Sequence, residues 1–340
     1  MKKVTMSDIA EELGLSTVSV SKALSGKEGV SDAIREQIKV KAFEMGYKYN
    51  SGSKGLKFEQ GLSIGVLVSE TFIADNTYYT MLYQKLVKCF AKHEVFCILE
   101  IVTRADEKKL RTPSMIDNKK VDGVIIMGKM SREYTGMLAE IGVPFVFMDS
   151  YDEAFMTDSI VSDGVYGTYM LTRYLLKKGH RDIRFVGDVH ATNSIMDRYL
   201  GYTKALLESG FTECPKPIVD RNADDLLVDI VLPDPLPEAF VCNCDEEGFM
   251  LVNQLKENGF NVPDDCSVVV FDDFVYAKLS SPALTAFAVD VDMMCDAAAN
   301  SMLRKLDDSE YKTGIRIVGG ELVERDSVRD RTGNNNKENV

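Results

Sequence analysis

One short segment near the amino terminus carries side chains suited to contact with the edges of DNA bases. Ser16 is a typical helix-capping residue, and the segment Thr17–Leu24 after it places its apolar side chains on one helical face. The side chains left outside lie near the start of that helix and are Thr17, Val18, Ser21 and Lys22. Short hydroxyls, a methyl-bearing side chain and a lysine complement the donors, acceptors and methyl groups of the major groove. The segment is therefore predicted to be a recognition helix.

The residues around this segment predict the helices that must position it. Thr5 is suited to cap a first helix, with Asp8 three residues later, and Gly14 has the residue type that ends one. So short a gap before Ser16 indicates a helix-turn-helix. A third helix is predicted to open at Ser31, to end at Gly46, and to carry apolar residues at helical spacing: Ile34, Ile38, Ala42 and Met45. A generic three-helix bundle without DNA remains the alternative.

Charge is distributed unevenly along the 340 residues. The whole chain has 40 basic and 53 acidic residues, which gives a formal net charge of −13. Residues 1–57 hold ten Lys/Arg and seven Asp/Glu, a net charge of +3, so the remainder carries −16. A small basic unit attached to an acidic body is suited to bind the phosphates of a nucleic acid. Mildly basic helical surfaces are, however, also common in proteins that bind no nucleic acid.

From residue 61 onward, short apolar runs alternate with helical segments. Continuous apolar strands separated by helices indicate α/β structure with parallel sheets covered on both faces. The predicted strands are Leu62–Val68, Phe96–Val102, Val121–Met127, Phe145–Met148, Ile183–Val186, Ala239–Cys242, Ser267–Phe271 and Ala286–Val289. The predicted helices include Tyr79–Ala91, Gly167–Lys177 and Gly201–Glu208. So many units favour two lobes with a ligand cleft between them.

Several other classes of function find no support in the sequence. No nucleophile-elbow, zinc-protease or phosphate-loop motif is present, and the three histidines lack Cys or Ser partners at useful spacing, so we expect no enzymatic activity, cofactor or metal. The seven cysteines are scattered and are interpreted as reduced thiols. No basic-then-apolar leader and no apolar run of membrane-spanning length occurs, so the expected location is the cytoplasm, away from the membrane.

The amino-terminal motifs together resemble the headpiece of the lactose-repressor/galactose-repressor (LacI/GalR) family. The matching segments are 4–10, 14–16, 20–26, 30–31 and 46–50. The resemblance implies that Thr17, Val18 and Lys22 read bases. It also implies that the segment after Asn50 becomes helical on operator DNA and inserts Leu56 into the minor groove. Gly52 and Gly55 depart from the family pattern, and each interior glycine costs about 1 kcal/mol of helix stability relative to alanine.

The same resemblance covers almost all of the remaining chain and implies a periplasmic-binding-protein-like core. The matching segments include 63–68, 122–126, 143–146, 178–183, 198–202, 262–265, 271–273, 282–285 and 322–327. In this family Arg198 and Asp272 correspond to residues that hold ligand hydroxyls from the second lobe, and Asp149 faces them from the first. A guanidinium with a carboxylate acceptor also suits directional ligand binding, although an ordinary structural ion pair is the alternative.

Three departures leave the identity of the ligand open. Cys244 replaces an asparagine of the family, which removes an amide that both donates and accepts. The chain has no tryptophan, so the candidates for stacking on a ligand are Phe72, Tyr78 and Tyr79, which equally fit packing roles. Residues 210–239 look shortened and proline-rich, and a helix lining the cleft is expected to be lost there.

The resemblance also sets the expected domain boundaries. Residues 1–46 are predicted to form the helix-turn-helix headpiece, 47–60 a hinge, and 61–330 the two-lobed effector domain. The first lobe comprises about 61–161 and 291–319, the second about 162–290 and 320–330, with crossings near Val161, Asp290 and Gly319. A polar tail, 331–340, is expected to be disordered.

These observations predict a DNA-binding regulator, most simply a repressor, controlled by a sugar or related metabolite. Thr5, Ser16 and Asn50 are included with the recognition residues as DNA contacts. A homodimer is expected to bind near-palindromic operator DNA. The rival interpretations are a solute receptor of a transport system and a regulator whose core binds a protein corepressor.

Overall fold

The structure is a computed structural model, and it describes residues 5–24, 29–45, 61–73, 77–222, 225–308 and 310–332. The chain divides into two compact units, Met1–Glu59 and Gln60–Val340. The helices are α1 (Met6–Leu13), α2 (Thr17–Leu24), α3 (Asp32–Glu44), α4 (Glu70–Ile73), α5 (Thr77–Ala91), α6 (Arg104–Lys108), α7 (Ser114–Asp117), α8 (Arg132–Ile141), α9 (Gly164–Lys177), α10 (Asn193–Glu208), α11 (Asp245–Glu257), α12 (Val275–Leu279) and α13 (Val291–Asp307). The strands are β1 (Ser63–Ser69), β2 (Phe96–Val102), β3 (Gly123–Met127), β4 (Phe145–Met148), β5 (Ser159–Ser162), β6 (Ile183–Val186), β7 (Ala239–Cys242), β8 (Ser267–Phe271), β9 (Thr285–Val289), β10 (Ile315–Val318) and β11 (Gly320–Val323).

The amino-terminal unit is a three-helix headpiece whose turns follow the capping chemistry of the sequence. The Thr5 hydroxyl accepts from the Asp8 amide, and the Asp8 carboxylate accepts from the Thr5 amide at 2.6 Å. Gly14 ends α1 with φ +65°, a conformation that costs glycine little. The Ser16 hydroxyl then accepts from the Ser19 amide at 3.0 Å and opens α2. These contacts fix the tight turn between the two helices.

A small apolar core holds the three helices together. Its buried members are Ile9, Ala10, Val20, Ala23, Ile38 and Ala42. Ile34 was predicted with this set from its spacing, but 37% of it is exposed within this unit. Ile34 lies four residues before Ile38, and the narrow contact face of a short helix leaves it at the margin.

The carboxy-terminal unit contains two separate sheets, which define two lobes. The first sheet has the strand order β10-β5-β4-β3-β1-β2, and every pairing in it is parallel. The second has the order β11-β9-β8-β7-β6. Its other pairings are parallel, as the sequence indicates, and the edge pairing β11–β9 is antiparallel. Gly319 alone separates β10 of the first sheet from β11, which pairs with β9 of the second sheet.

The chain passes between the two sheets at three points. It leaves the first sheet after Ser162, returns to the first lobe after Val289, and leaves again between Val318 and Gly320. At the first two points an aspartate caps the helix that follows. Asp163 accepts from the Tyr166 amide, and Asp290 accepts from the Met293 amide, both at 2.9 Å. The helices α9 and α13 therefore begin at the crossings.

Three short strands had not been predicted, namely β5, β10 and β11. Each has only four residues, and the burial of β10 and β11 is partial, so their apolar runs are too short to stand out. In residues 209–222 and 225–238 the structure has no helix. Isolated bridges pair Val186 with Ile218 and Arg221 with Leu227 in this segment instead. No helix within the described ranges is long and apolar enough to cross a membrane.

Close packing of α9 against α10 predicts a strong effect of a methyl group at Gly201. A β-carbon there would lie 2.1 Å from the carbonyl oxygen of Val165, which is a backbone atom that cannot rotate away. We expect Gly201→Ala to lower the free energy of unfolding by about 1–3 kcal/mol in urea titrations. Gly136→Ala is the matched control, because a β-carbon there meets no atom within 4 Å. It should raise stability by about 0.5–1 kcal/mol, and equal effects of both substitutions would contradict this packing.

Candidate functional site

The headpiece presents the predicted recognition residues on one helix. Thr17, Val18 and Lys22 are exposed on α2, with Val18 62% exposed, while Ser21 is half-buried. Because most of the Val18 side chain is exposed to solvent, it adds little to the stability of the headpiece core. Arg35 of α3 donates to the carbonyls of Lys22 and Ala23, the latter at 3.2 Å, and so anchors the end of α2.

The other predicted DNA contacts have different positions. Thr5 and Ser16 are exposed cap residues whose hydroxyls already bind backbone amides at the starts of their helices. Such positions also suit contacts to phosphate. Asn50 and Leu56 lie outside the described residues, as does the whole predicted hinge, residues 47–60.

In the second lobe, the centre of the cleft is a buried arginine. Arg198 belongs to α10, which Thr192 caps, and only 6% of the residue is exposed. One Nη donates to the Asn243 carbonyl at 2.5 Å, and the guanidinium lies 4.0 Å from the centroid of the Phe271 ring. The other Nη lies 3.5 Å from Oδ2 of Asp272. The cation is thus held by the carboxyl ends of β7 and β8.

The first lobe contributes a tyrosine and a carboxylate that face this cation. Tyr79, in α5, donates its hydroxyl to Oδ2 of Asp149 at 2.9 Å. Phe72 packs against the Tyr79 ring with a centroid distance of 5.4 Å, as a support for it. The ring of Tyr78 lies 5.1 Å from the ring of Phe274 in the second lobe, so aromatic contact joins the lobes beside the polar residues.

Both candidate carboxylates occupy unusual backbone conformations. Asp149 follows β4 with φ +62°, and Asp272 follows β8 with φ +71°. Residues other than glycine rarely adopt this left-handed region, and the cost is repaid only where the surroundings fix the residue. In this conformation the Asp149 side chain accepts from Tyr79, and the Asp272 side chain lies beside Arg198.

Burial dominates the electrostatics of the cleft. It raises the pKa of Asp272 from an ordinary 3.8 to about 7, although the charge of Arg198 opposes the rise. Burial also raises the pKa of Asp149, against the effects of Arg198 and the Tyr79 hydrogen bond. The pKa values of Tyr78 and Tyr79 are well above the ordinary range, for the same reason and because of the Asp149 charge. For Arg198, burial acts to lower the pKa, but the charges of Asp272 and Asp149 keep it above its usual value.

Cys244 is the N-cap residue of α11 and makes no side-chain capping bond. Burial raises the pKa of its thiol well above the usual range, so the group is neutral. It therefore adds a small, weakly polar surface near Arg198. Within the described part of the chain, no three His, Cys, Asp or Glu side chains are arranged to hold a metal ion.

A second arginine near the cleft was missed in the sequence. Arg221 lies in the segment between α10 and β7, 3.5 Å from Oδ1 of Asp220, and it donates to the Asp225 carbonyl at 3.3 Å. Its positive charge acts to lower the pKa values of Tyr79 and Cys244. The surrounding segment has neither helical nor strand periodicity, and no local pattern distinguishes this arginine from a surface cation.

Beside Asp149, the two lobes enclose a cavity of about 250 Å³. The lining residues are mostly polar and include Tyr79, Lys129, Ser131, Asp149, Tyr151, Thr192 and Asn193. Hydrogen bonds cross between the lobes at its edge. Lys129 donates to the Ala191 carbonyl and the Asn193 amide donates to the Tyr151 carbonyl, both at 2.7 Å. The Tyr151 hydroxyl donates to Asp197 at 3.3 Å.

Comparison with known proteins agrees with this architecture. A model of the periplasmic binding protein-like domain matches residues 172–328. The chain is 26% identical over 335 residues to the HTH-type transcriptional repressor PurR of Vibrio cholerae serotype O1, covering 96% of this chain and 99% of the repressor. Among solved structures, the transcriptional regulator CelR in complex with cellobiose gives a TM-score of 0.65 at 20% identity, and covers 96% of this chain and 100% of CelR. The Lac repressor dimer bound to operator and the anti-inducer ONPF gives 0.64 at 21% identity, with the same coverage.

The fold and the cleft thus define a two-lobed, periplasmic-binding-protein-like protein with an amino-terminal helix-turn-helix unit. More particularly, the chain is similar over almost its whole length to HTH-type transcriptional repressors such as PurR, and it shares its fold with the Lac repressor.

The raised pKa of Asp272 predicts a pH dependence of stability. Because the folded state binds this proton more tightly than the unfolded state, Asp272 contributes most to stability below about pH 4. That contribution is lost as the pH rises to about 7, and the loss is at most about 4 kcal/mol. We therefore expect Asp272→Asn to lose less unfolding free energy than the wild type between these pH values.

The measurement is urea denaturation at a series of pH values, with Asp264→Asn as the control. Asp264 belongs to the same lobe, and 76% of its side chain is exposed. The control curve should run parallel to that of the wild type. A parallel curve for Asp272→Asn as well would show that burial of Asp272 does not perturb its titration.

Proposed function

We propose that this regulator binds operator DNA through α2 and represses transcription, and that a polar metabolite bound between the lobes sets its DNA affinity. The observation that carries the proposal is the convergence of Arg198 and Asp272 from the second lobe with Asp149 and Tyr79 from the first. A ligand that contacts residues of both lobes stabilises one arrangement of them over another. Operator binding implies action in the cytoplasm.

The shape and chemistry of the cleft favour a sugar or a similar metabolite. The cavity of about 250 Å³ is lined by hydroxyl, amide and carboxylate groups, which match a small ligand rich in polar atoms. CelR, a protein of the same fold, is described with cellobiose. We assign Phe72, Tyr79, Asp149, Arg198, Cys244 and Asp272 to the effector site, with Phe72 and Cys244 as supporting surface.

The proposed division of the chain follows the same logic. Residues 1–46 bind DNA, 47–60 form the hinge, and 61–330 bind the effector. The crossings observed after Ser162, Val289 and Val318 agree with the proposed lobe limits. A solute receptor would have no use for a basic helix-turn-helix headpiece. A core that binds a protein corepressor would not need to bury Arg198 between facing lobes.

In the proposed mechanism the protein acts as a homodimer on a near-palindromic operator. The Lac repressor, which has the same fold, is described as a dimer on its operator. Binding of the effector would break or reform the contacts between lobes, among them Lys129 with Ala191 and Tyr151 with Asp197. The resulting lobe movement alters hinge spacing, with a coupling of about 1–3 kcal/mol.

Selection from a random pool of double-stranded DNA tests the operator proposal, and Lys22→Ala tests the recognition helix. We expect a palindrome to be enriched by the wild type. Lys22→Ala should weaken the selected site by about 1–3 kcal/mol while changing affinity for random DNA little, because a base contact discriminates between sequences. Lys39→Ala removes the same charge from α3 and serves as the control.

Equal loss of affinity for selected and random DNA in Lys22→Ala would contradict base reading by that residue. Enrichment of half-sites with no fixed spacing would show that the headpiece reads DNA but that the glycine-containing hinge does not order. No enrichment in the presence and absence of metabolites from a cell extract would refute the operator proposal.

Thermal unfolding with a panel of sugars, phosphosugars, nucleosides and amino acids tests the effector proposal. A ligand present at about 100 times its Kd stabilises the folded protein by about 2.7 kcal/mol and raises Tm. Asp149→Asn keeps an acceptor for Tyr79 but loses the carboxylate charge in the cleft. We expect this variant to lose most of the Tm shift.

Asp292→Asn is the control for this experiment. Asp292 is a first-lobe carboxylate that is 77% exposed and pairs with Lys85. The control variant should keep the full Tm shift of the wild type. Absence of any shift across the panel would refute a small-molecule effector.

A further inference from the structure

Two arginines of the second lobe bring positive charge to the same tyrosine of the first lobe. Burial and the Asp149 charge raise the pKa of Tyr79, and the charges of Arg198 and Arg221 both oppose that rise. Arg198 belongs to α10, whereas Arg221 belongs to the irregular segment that follows it. Two separate parts of the second lobe therefore carry guanidinium groups whose charges act on one tyrosine of the first lobe.

Each of the two guanidinium groups has an N–H that makes no hydrogen bond within the described part of the chain. Among the described residues, the Nε atoms of Arg198 and Arg221 are buried and have no acceptor in hydrogen-bond geometry. Their ion pairs are long: one Nη of Arg198 lies 3.5 Å from Oδ2 of Asp272, and Nε of Arg221 itself lies 3.5 Å from Oδ1 of Asp220. Buried N–H groups without acceptors are rare and unfavourable, and charged donors form their strongest bonds with anionic oxygens.

One residue ties the two arginines to the same strand end. The Asn243 carbonyl accepts from Arg198 at 2.5 Å, and the Asn243 side-chain amide donates to Oδ2 of Asp220 at 2.6 Å. Asp220 is completely buried and precedes Arg221, so it holds that segment against β7. The spacing of the two cations is therefore set by the fold, as a preorganised binding site requires.

We infer that the effector carries a carboxylate or phosphate group that binds between Arg198 and Arg221, while its hydroxyl groups face the polar cavity beside Asp149. The inference rests on the proposed function and narrows it to acidic or phosphorylated polyols. An anionic oxygen would supply the acceptors that Arg198 and Arg221 lack. Lobe closure onto Tyr79 would then shield the ion pair from water, which strengthens it.

Thermal unfolding with matched compounds tests the requirement for charge. The probes are glucose with gluconate and glucose 6-phosphate, ribose with ribonate and ribose 5-phosphate, and inorganic phosphate, all at millimolar concentration. We expect at least one acidic compound to raise Tm by several degrees while its neutral parent does not. The aldonate and phosphate arms distinguish the two sources of negative charge.

Variants at Arg221 separate a binding role from a structural one. Arg221→Gln should lose most of the shift produced by the acidic compound, and Arg221→Lys should keep part of it, because lysine retains the charge but not the planar fork. Arg184→Gln is the control, since Arg184 pairs with Asp182 in the same lobe and is 36% exposed. It should respond as the wild type does.

Each contrary result has a distinct meaning. Equal shifts with neutral and acidic compounds, unchanged in Arg221→Gln, would overturn the inference and leave the proposed function standing. Tm shifts produced by the neutral sugars but not by the acidic compounds would also overturn the inference and leave the proposed function standing. No shift with any compound in this series or in the broader metabolite panel would overturn the inference together with the effector proposal.

Discussion

Burial of the Arg198 charge is the constraint on which the effector unit depends. Removing a guanidinium from water is costly unless acceptors replace its hydration, and here the replacements are the Asn243 carbonyl, the Phe271 ring and the Asp272 carboxylate. These groups stand together because β7 and β8 pair in parallel, with Cys242 opposite Val270, so that both carboxyl ends reach the same edge. The strand register of the second sheet thus places the groups that bind the buried Arg198 guanidinium.

The first lobe meets that charge with its own polar residues rather than with an apolar surface. Asp149 follows β4 as Asp272 follows β8, and both adopt positive φ, so each lobe turns a carboxylate toward the space between them. Burial raises the pKa of both groups, and the charge of Arg198 opposes the rise in each. Among the described residues, Oδ1 of Asp149 is buried without a hydrogen-bond partner, so a hydroxyl donor of a ligand would satisfy it.

Much of this architecture can be read from the sequence because its elements obey local rules. Phe96–Val102, Phe145–Met148 and Ser267–Phe271 are apolar throughout or nearly so, and the observed strands have the predicted ends. Thr5 and Ser16 cap helices through their own hydroxyls. The antiparallel β11 and the position of Arg221 could not be predicted, since both depend on contacts between distant segments: β11 with β9, and the Arg221 segment with the end of β7 through Asp220 and Asn243. Family resemblance located Arg198 and Asp272, but it gave no reason to single out a residue in a segment that departs from the family.

The glycines of the proposed hinge set a scale for the energy that the proposed mechanism has to transmit. In a hinge helix formed on DNA, Gly52 and Gly55 together would cost about 2 kcal/mol relative to alanines, and contacts with DNA would have to supply that energy. A typical allosteric coupling is about 1–3 kcal/mol, which is the same magnitude. Under the proposed mechanism, a modest change in lobe position would therefore be enough to release such a hinge. A stiffer hinge would bind more tightly but would respond less to the same ligand, so in this mechanism the glycines would exchange operator affinity for sensitivity to the effector.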